Sequence, residues 1–170
     1  MLPPEVWLAA VHAQSHAYAL VDACNAPAVL AKVQELGPER AYSLYRGRRQ
    51  VEDLFDIAPY LVPLDETLHH WILAEMRDDA WGIFVLSSAP LETLLSHLAR
   101  CLIVRTPGGS REYFRYYDPR VLRTLIPSLD ALQRQQLFGP IQSFLTWQPS
   151  DLTWSTWNSS LNYRVSWRNA

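Results

Sequence analysis

The side chains that could carry out catalysis lie in the middle of the chain. Ser87 and Ser88 follow a strongly apolar stretch and precede a predicted helix that carries His97 and Cys101, and Asp118 lies further along. A serine at a strand-to-helix turn, with a histidine as its base, is the arrangement of many hydrolases. The Gly-x-Ser-x-Gly pattern of the sharp nucleophile turn is missing, however. We therefore predict a protein that is not an enzyme, and a small α/β hydrolase-like enzyme using Ser87 and His97 is the alternative.

The candidate metal ligands in the sequence are two pairs of histidines. His12 and His16 are four residues apart on a predicted short helix, but no third ligand is apparent nearby. His69 and His70 are adjacent, so on a helix their rings point about 100° apart and cannot easily share one ion. The glycine patterns that bind phosphate, Cys-x-x-Cys and His-Glu-x-x-His do not occur. We expect no metal and no cofactor.

Arginines, aromatic residues and carboxylates are most concentrated at residues 112–120, which read Glu-Tyr-Phe-Arg-Tyr-Tyr-Asp-Pro-Arg. The aromatic residues favour a strand over 113–117. The Gly108-Gly109 turn would pair this strand with another over 102–106. The sequence therefore predicts a β-hairpin that leads directly into a helix.

The end of this segment has the residues that begin a helix. Asp118 is a favourable N-cap, and Pro119 suits the first helical position because its missing N–H costs nothing there. Asp118 could pair with Arg115 or Arg120 while the tyrosines fill the core. The segment is then a buried structural junction; otherwise it is a binding site. We favour the junction and expect the working surface further along the chain.

Strand-like and helix-like segments alternate over the first hundred residues. Residues 81–86 form a continuous apolar run that is typical of the centre of a sheet, and the next helix carries leucines at the helical period. The two prolines within 57–64 suit an edge strand or an extended segment. We predict an α/β (mixed α+β) fold, in which helices flank a central mixed sheet and antiparallel hairpins occupy the C-terminal half. The other predicted elements are strands over 18–22 and 41–45 and helices that begin after Asn25, Asp65, Asp118 and Asp130, the last with a capping box to Gln133 and an end at Gly139-Pro140.

The C-terminal residues are poor in charge and rich in aromatic side chains. Residues 152–157 and 161–167 are predicted to form a hairpin, which must be covered either by the domain itself or by a partner. We divide the chain into a core domain, 1–140, and a C-terminal hairpin, 141–170, packed on the same domain. Interface cores are enriched in tryptophan and tyrosine, so we hypothesise a partner-binding surface in this hairpin. Its residues would be Trp147, Trp154, Trp157, Tyr163 and Trp167.

Composition excludes several classes of protein. The 170 residues are 49% hydrophobic, which is ample for a core, and the net charge of -2 favours neither nucleic acid nor an acidic membrane surface as a partner. Cys24 and Cys101 are far apart in apolar surroundings, which indicates reduced thiols. The pattern of a signal peptide and long apolar runs are both missing. We predict a soluble cytoplasmic protein.

Several short motifs follow one another between residues 18 and 140. The strongest is Phe-Arg-Tyr-Tyr-Asp-Pro-Arg at 114–120; others are Tyr-Ala-Leu-Val-Asp-Ala at 18–23 and Phe-Gly-Pro at 138–140. In their order and spacing they resemble the type VI secretion effector adaptors, also called effector chaperones, classed as domain of unknown function 4123. The signature residues that carry this resemblance are Asp22, Tyr45, Pro59, Tyr60, Ser87, Ser88, Phe114, Arg115, Tyr117, Asp118, Pro119 and Arg120.

The resemblance implies a function without catalysis. Members of the family bind a toxin effector in the cytoplasm of the producing cell and help to mount it on the secretion spike, which is a trimeric valine-glycine-repeat protein (VgrG) or its PAAR-type tip. Many members carry a longer C-terminal lobe that is implicated in the choice of partner. By elimination, we expect the tryptophan-rich residues 147–167 to supply the surface that binds cargo in this chain. A structural subunit of a homo-oligomer is a further alternative. The identity of the toxin and the oligomeric state are left open.

Overall fold

The computed structural model describes residues 16–24, 26–46, 52–76, 80–106, 108–151, 153–159 and 165–168. Five helices are described in these ranges: α1 Pro27–Leu36, α2 Glu66–Glu75, α3 Leu91–Cys101, α4 Pro119–Leu125 and α5 Ala131–Phe138. The strands are β1 His16–Asp22, β2 Tyr42–Ser43, β3 Pro59–Pro63, β4 Gly82–Ser87, β5 Ile103–Arg105, β6 Arg111–Tyr113, β7 Ile141–Gln148, β8 Thr153–Asn158 and β9 Val165–Arg168.

Seven strands form one sheet in the order β2-β3-β1-β4-β7-β8-β9, and β5 and β6 form a separate two-stranded sheet. The predicted mixed α+β architecture with C-terminal hairpins is confirmed. Every strand pair in the described part of the chain is antiparallel. The sheet therefore differs from the mixed sheet predicted from the sequence. Alternation of strands and helices does not reveal this direction: the segment between β1 and β3 begins and ends at the same end of the sheet, whereas the segment between β3 and β4 crosses to the opposite end.

Strand β4 lies at the centre of the large sheet, as its continuous apolar run predicts. All six of its residues are buried, including Ser87 at its end. Gly82 begins the strand at a point where β1 approaches closely: a Cβ at this position would lie 2.1 Å from the main-chain oxygen of Leu20. The centre of the sheet therefore requires glycine at this position.

Helix starts follow the predicted caps at three places. The side chain of Asp65 accepts a hydrogen bond from the N–H of Leu68 at 2.8 Å, and Asp118 accepts one from the N–H of Arg120. Asp130 and Gln133 form a capping box, with bonds of 2.8 and 3.0 Å. Short polar side chains satisfy the first N–H groups of each helix, which explains why these starts can be predicted from sequence.

Other predicted boundaries are wrong. Helix α1 begins at Pro27 with Ala26 at its N-cap, and Asn25 lies outside the described residues. The segment over 57–64 forms β3, which lies between β2 and β1 and not at the edge; its prolines stand at the two ends of the strand, where they remove few ladder bonds. His16 begins β1, so it does not end a helix, and His12 lies outside the described residues.

His69 is a titratable group in the core, 4% exposed, with its ring edge-on to that of Phe84. Burial lowers the pKa of His69 from 6.5 to about 4. The unfolded chain therefore binds more protons between these two pH values, and the free energy of unfolding must fall as the pH falls through this window. At 1.36 kcal/mol per pKa unit, we expect a loss of about 2 kcal/mol between pH 7 and pH 4.5.

Urea denaturation across this pH range tests the prediction. His69→Gln should remove most of the pH dependence, since glutamine does not titrate. The control is His70→Gln, which removes an exposed neighbouring ring and leaves the buried ring of His69 in place. Equal pH profiles for the native protein and His69→Gln would contradict the assignment.

The described part of the chain contains no helix long and apolar enough to cross a membrane.

Candidate functional site

The dense aromatic segment is not the strand that its composition predicts. Strand β6 ends at Tyr113; the N–H of Asp118 then bonds to the carbonyl of Arg115 at 3.0 Å and closes a turn. Tyr116 and Tyr117 are 0% and 1% exposed. Successive residues of a strand point to opposite faces, whereas a turn lets both of these side chains enter the core. Burial of two adjacent tyrosines therefore outweighs their strand propensity.

The two arginines of the segment pair with two different carboxylates. Arg120 donates to Asp118 through Nε at 2.9 Å and through its terminal nitrogen at 2.6 Å. Burial alone would raise the pKa of Asp118, but these bonds and the N–H of Arg120 hold it below its usual range. Arg115 instead donates to Asp22 at the end of β1, and the other oxygen of Asp22 accepts the N–H of Cys24 at 3.0 Å.

A chain of tyrosine hydroxyls links the same region to the start of the protein. Tyr45 donates to the hydroxyl of Tyr113 at 2.7 Å, which lies 3.0 Å from the hydroxyl of Tyr117. The guanidinium of Arg115 lies 5.9 Å from the centre of the Tyr117 ring. We call Asp22, Tyr45, Tyr113, Arg115 and Tyr117 the signature cluster. It brings three separate stretches of the sequence into contact and ties the β5–β6 hairpin to the large sheet.

The signature residue Ser87 and the nearby His97 make a second set of contacts at the C-terminal end of β4. The hydroxyl of Ser87 donates to the carbonyl of Pro140 at 2.8 Å and accepts the N–H of Ala89 at 3.1 Å. Nε2 of His97 lies 2.9 Å from the carbonyl of Leu137; because a carbonyl can only accept, Nε2 carries the proton. Ser87 and His97 therefore have separate partners. The Ser87 bond joins the end of β4 to the loop after α5, and the His97 bond joins α3 to the last turn of α5.

The remaining signature residues also have structural contacts. The carbonyl of Pro59 accepts the N–H of Leu44 at 2.9 Å, and Pro59 stands opposite Asp22 in the β1–β3 register. The hydroxyl of Tyr60 donates to the carbonyl of Phe55 at 3.0 Å. Ser88 is exposed after β4. Most of the signature residues therefore form contacts between different strands, helices and loops of the fold.

The thiol of Cys101 is close to His97 but is not poised for reaction. Its Sγ lies 3.6 Å from Nε2 of His97, and burial raises the pKa of Cys101 to about 11. The thiol is therefore protonated at neutral pH, whereas nucleophiles and metal ligands are thiolates. Among the residues that the structure describes, no three His, Cys, Asp or Glu side chains lie close enough to hold a metal ion.

The hypothesis of an exposed tryptophan surface is wrong for three of its residues. Trp147, Trp154 and Trp157 are 4%, 2% and 6% exposed, and they are part of the core. The ring of Trp154 packs 5.5 Å from that of Phe84 and 5.1 Å from that of Trp147, measured between ring centres. The aromatic strands are thus covered by the domain's own body. Tyr163 and the side chain of Trp167 lie outside the described residues.

An open groove lies on the side of the protein where β5 meets the C-terminal helices. Its volume is about 790 Å³, and it runs between the end of α3, β5, the end of α4 and α5. No single element contains this surface, so sequence periodicity could not reveal it. Its apolar lining comes from Ile103, Val104, Phe114, Leu125, Leu129 and Leu137.

Among the described residues that line the groove, the charged ones are all of one sign. They are Arg100 and Arg105, which are exposed together with the uncharged Gln133 and Gln136, and no acidic side chain belongs to this described lining. Val104 is 38% exposed although it is apolar. Apolar walls with arginine at the rim are typical of a surface that binds another protein. Phe114 lines the groove and lies in the chain between Tyr113 and Arg115 of the signature cluster.

The fold and this groove define the class: a mixed α+β domain with an antiparallel sheet and an open, apolar, arginine-rimmed groove. The chain belongs to the family described as domain of unknown function (DUF4123), whose model matches residues 17–136. No curated protein and no solved structure matches the chain.

Proposed function

We propose that this protein is a cytoplasmic, non-catalytic adaptor that binds a toxin effector of the type VI secretion system and helps to load it onto the VgrG or PAAR spike protein. The observation that carries the proposal is the groove beside β5. It combines an apolar lining with exposed arginines, as a surface for reversible protein recognition does. Membership of the family supports it, since the motifs that place the chain there resemble those of effector adaptors.

The chemistry of the polar side chains agrees with recognition. The hydroxyl of Ser87 donates a hydrogen bond to the main-chain carbonyl of Pro140, and Nε2–H of His97 donates one to the main-chain carbonyl of Leu137. Burial also lowers the pKa of His97, so the ring is neutral near pH 7. These side chains hold the loop around Gly139 in place, whereas the groove presents hydrophobic area and positive charge to the outside. Handover to the spike requires an affinity between about micromolar and nanomolar.

Co-expression with candidate toxins encoded next to its gene tests the proposal. The native protein should co-purify with one toxin, and Val104→Asp should weaken this association at least about tenfold, because a carboxylate would be desolvated in the apolar groove. The matched control is Leu132→Asp, since Leu132 is 62% exposed on α5 and does not line the groove.

Three results would contradict this proposal. A toxin that binds Val104→Asp as well as the native protein would exclude the groove as its site. Failure of every neighbouring toxin to bind would argue against the adaptor function. Hydrolytic turnover that disappears in Ser87→Ala and His97→Ala would establish the enzyme in its place.

A further inference from the structure

One edge of β5 has main-chain groups that β6 does not use. The N–H of Phe114 bonds to the carbonyl of Leu102 at 2.8 Å, and the N–H of Thr106 bonds to that of Ser110 at 3.0 Å. In an antiparallel ladder such bonded pairs alternate with non-bonded pairs. Ile103 and Arg105 belong to the non-bonded pairs, so their N–H and carbonyl groups point away from β6. No strand pairs with this edge within the ranges that the structure describes.

The groove runs along this open edge. It is lined by Ile103, Val104 and Arg105, which are three successive residues of β5, and by no residue of β6. Successive side chains of a strand point to opposite faces. A groove over one face of the hairpin would therefore contact alternate residues of both strands. The groove contacts all three residues of β5 and Phe114 just beyond the end of β6, but none of the paired residues 111–113, which places it at the edge of β5.

Two positive charges face each other in the β5–β6 hairpin and lower its stability. Arg105 stands directly opposite Arg111 in the β5–β6 register, and both are exposed. Like charges directly opposite each other destabilise an antiparallel pair. Arg100 adds a third positive charge at the end of α3, next to the groove. Glu112, on the other face of β6, accepts a hydrogen bond from Ser110 at 2.9 Å and is not part of the lining. An anionic partner would offset this repulsion.

From these observations we infer that the groove binds an extended segment of the partner protein, with alternating acidic and apolar side chains, which adds a strand to β5. The main-chain groups of Ile103 and Arg105 would pair with the segment. Its apolar side chains would lie against Leu125 and Leu129, and its carboxylates would meet Arg100 and Arg105. Main-chain bonds of this kind supply affinity, and the side-chain pockets supply specificity. The inference rests on the proposed function, which makes the toxin the partner.

Hydrogen exchange of single amides, measured by NMR with and without the co-purifying toxin, tests the inference. The amides of Ile103 and Arg105 should exchange at least about tenfold more slowly in the complex, because they become bonded to the added strand. The amide of Val104 is an internal control, since the register already directs it toward β6.

Charge reversal tests the chemistry of the partner. Arg105→Glu should weaken toxin binding at least about tenfold, while its new carboxylate opposite Arg111 should leave the hairpin at least as stable as before. Arg46→Glu is the control, since Arg46 is an exposed arginine outside the groove. Its affinity for the toxin should equal that of the native protein.

The outcomes separate this inference from the proposed function. Toxin binding that depends on Val104 without slower exchange at Ile103 and Arg105 would overturn strand addition and leave the adaptor function intact. Binding that is indifferent to Arg105→Glu would overturn the acidic character of the segment. Absence of any toxin binding would overturn both.

Discussion

Gly82→Ala should be the most damaging single-methyl change in the described part of the sheet. The added Cβ would lie 2.1 Å from the main-chain oxygen of Leu20 and 3.0 Å from Cα of Val21. Both atoms belong to the backbone of β1, so no side chain can rotate away to make room. The φ angle of Gly82 is +153°, which L-residues with a side chain rarely adopt. We expect the free energy of unfolding to fall by about 3 kcal/mol or more.

Urea denaturation of Gly82→Ala and Gly37→Ala measures the effect of the close approach. Gly37 also has a positive φ, +69°, but a Cβ there meets no atom within 4 Å. Gly37→Ala should therefore show only the cost of its backbone conformation (φ 69°, ψ 175°), which is nearly restricted to glycine, of about 1 to 3 kcal/mol. A loss at Gly82 no larger than that at Gly37 would mean that β1 and β4 can separate easily.

Removal of the Arg115 side chain should have the second largest effect. Its guanidinium pairs with the carboxylate of Asp22, which is 4% exposed at the end of β1. In Arg115→Leu this carboxylate keeps the N–H bond from Cys24 but loses its counter-charge. A buried charge without its ionic partner is costly, so we expect a loss of about 2 to 4 kcal/mol in the free energy of unfolding.

Two further variants test whether burial of the Asp22 carboxylate causes the loss of stability in Arg115→Leu. Arg115→Lys keeps the charge but not the planar fork, and should lie between Arg115→Leu and the native protein. Arg46→Leu removes an arginine that lies 3.4 Å from Glu92, with both side chains exposed, and should cost less than about 1 kcal/mol. If denaturation gives similar losses for Arg115→Leu and Arg46→Leu, the signature cluster does not hold the hairpin.

Local chemistry is what made part of this fold predictable from sequence. The apolar run at 81–86 could only be a buried strand or helix, and its length and position between turns favoured the strand that is found. Asp65, Asp118 and Asp130 could be assigned as caps because the groups they satisfy are within a few residues. Where no hairpin turn joins two strands, the direction of their pairing is a property of the whole sheet, and no local pattern contains it.

The candidate site was less predictable because it is made by tertiary contacts. Composition correctly indicated that the tryptophans had to be covered, but it could not distinguish the domain's own sheet from a partner. The groove joins residues of α3, β5, α4 and α5, whose leucines resemble ordinary core residues in the sequence. The pairing of Arg115 with Asp22 spans 93 positions of the chain, whereas the nearer Asp118 was the obvious candidate. For Arg115, proximity in sequence therefore favoured a carboxylate that pairs with Arg120 instead.

The positive charges of the β5–β6 hairpin have one more consequence, for the behaviour of the free protein. An exposed strand edge is a site at which two copies of a protein can pair and aggregate. Two such edges brought together here would place Arg105 and Arg111 of one copy near those of the other. Coulombic repulsion would oppose this contact, most strongly at low salt. The same arginines can thus keep the protein from pairing with a second copy through an unoccupied β5 edge. The edge then stays available to a segment of opposite charge.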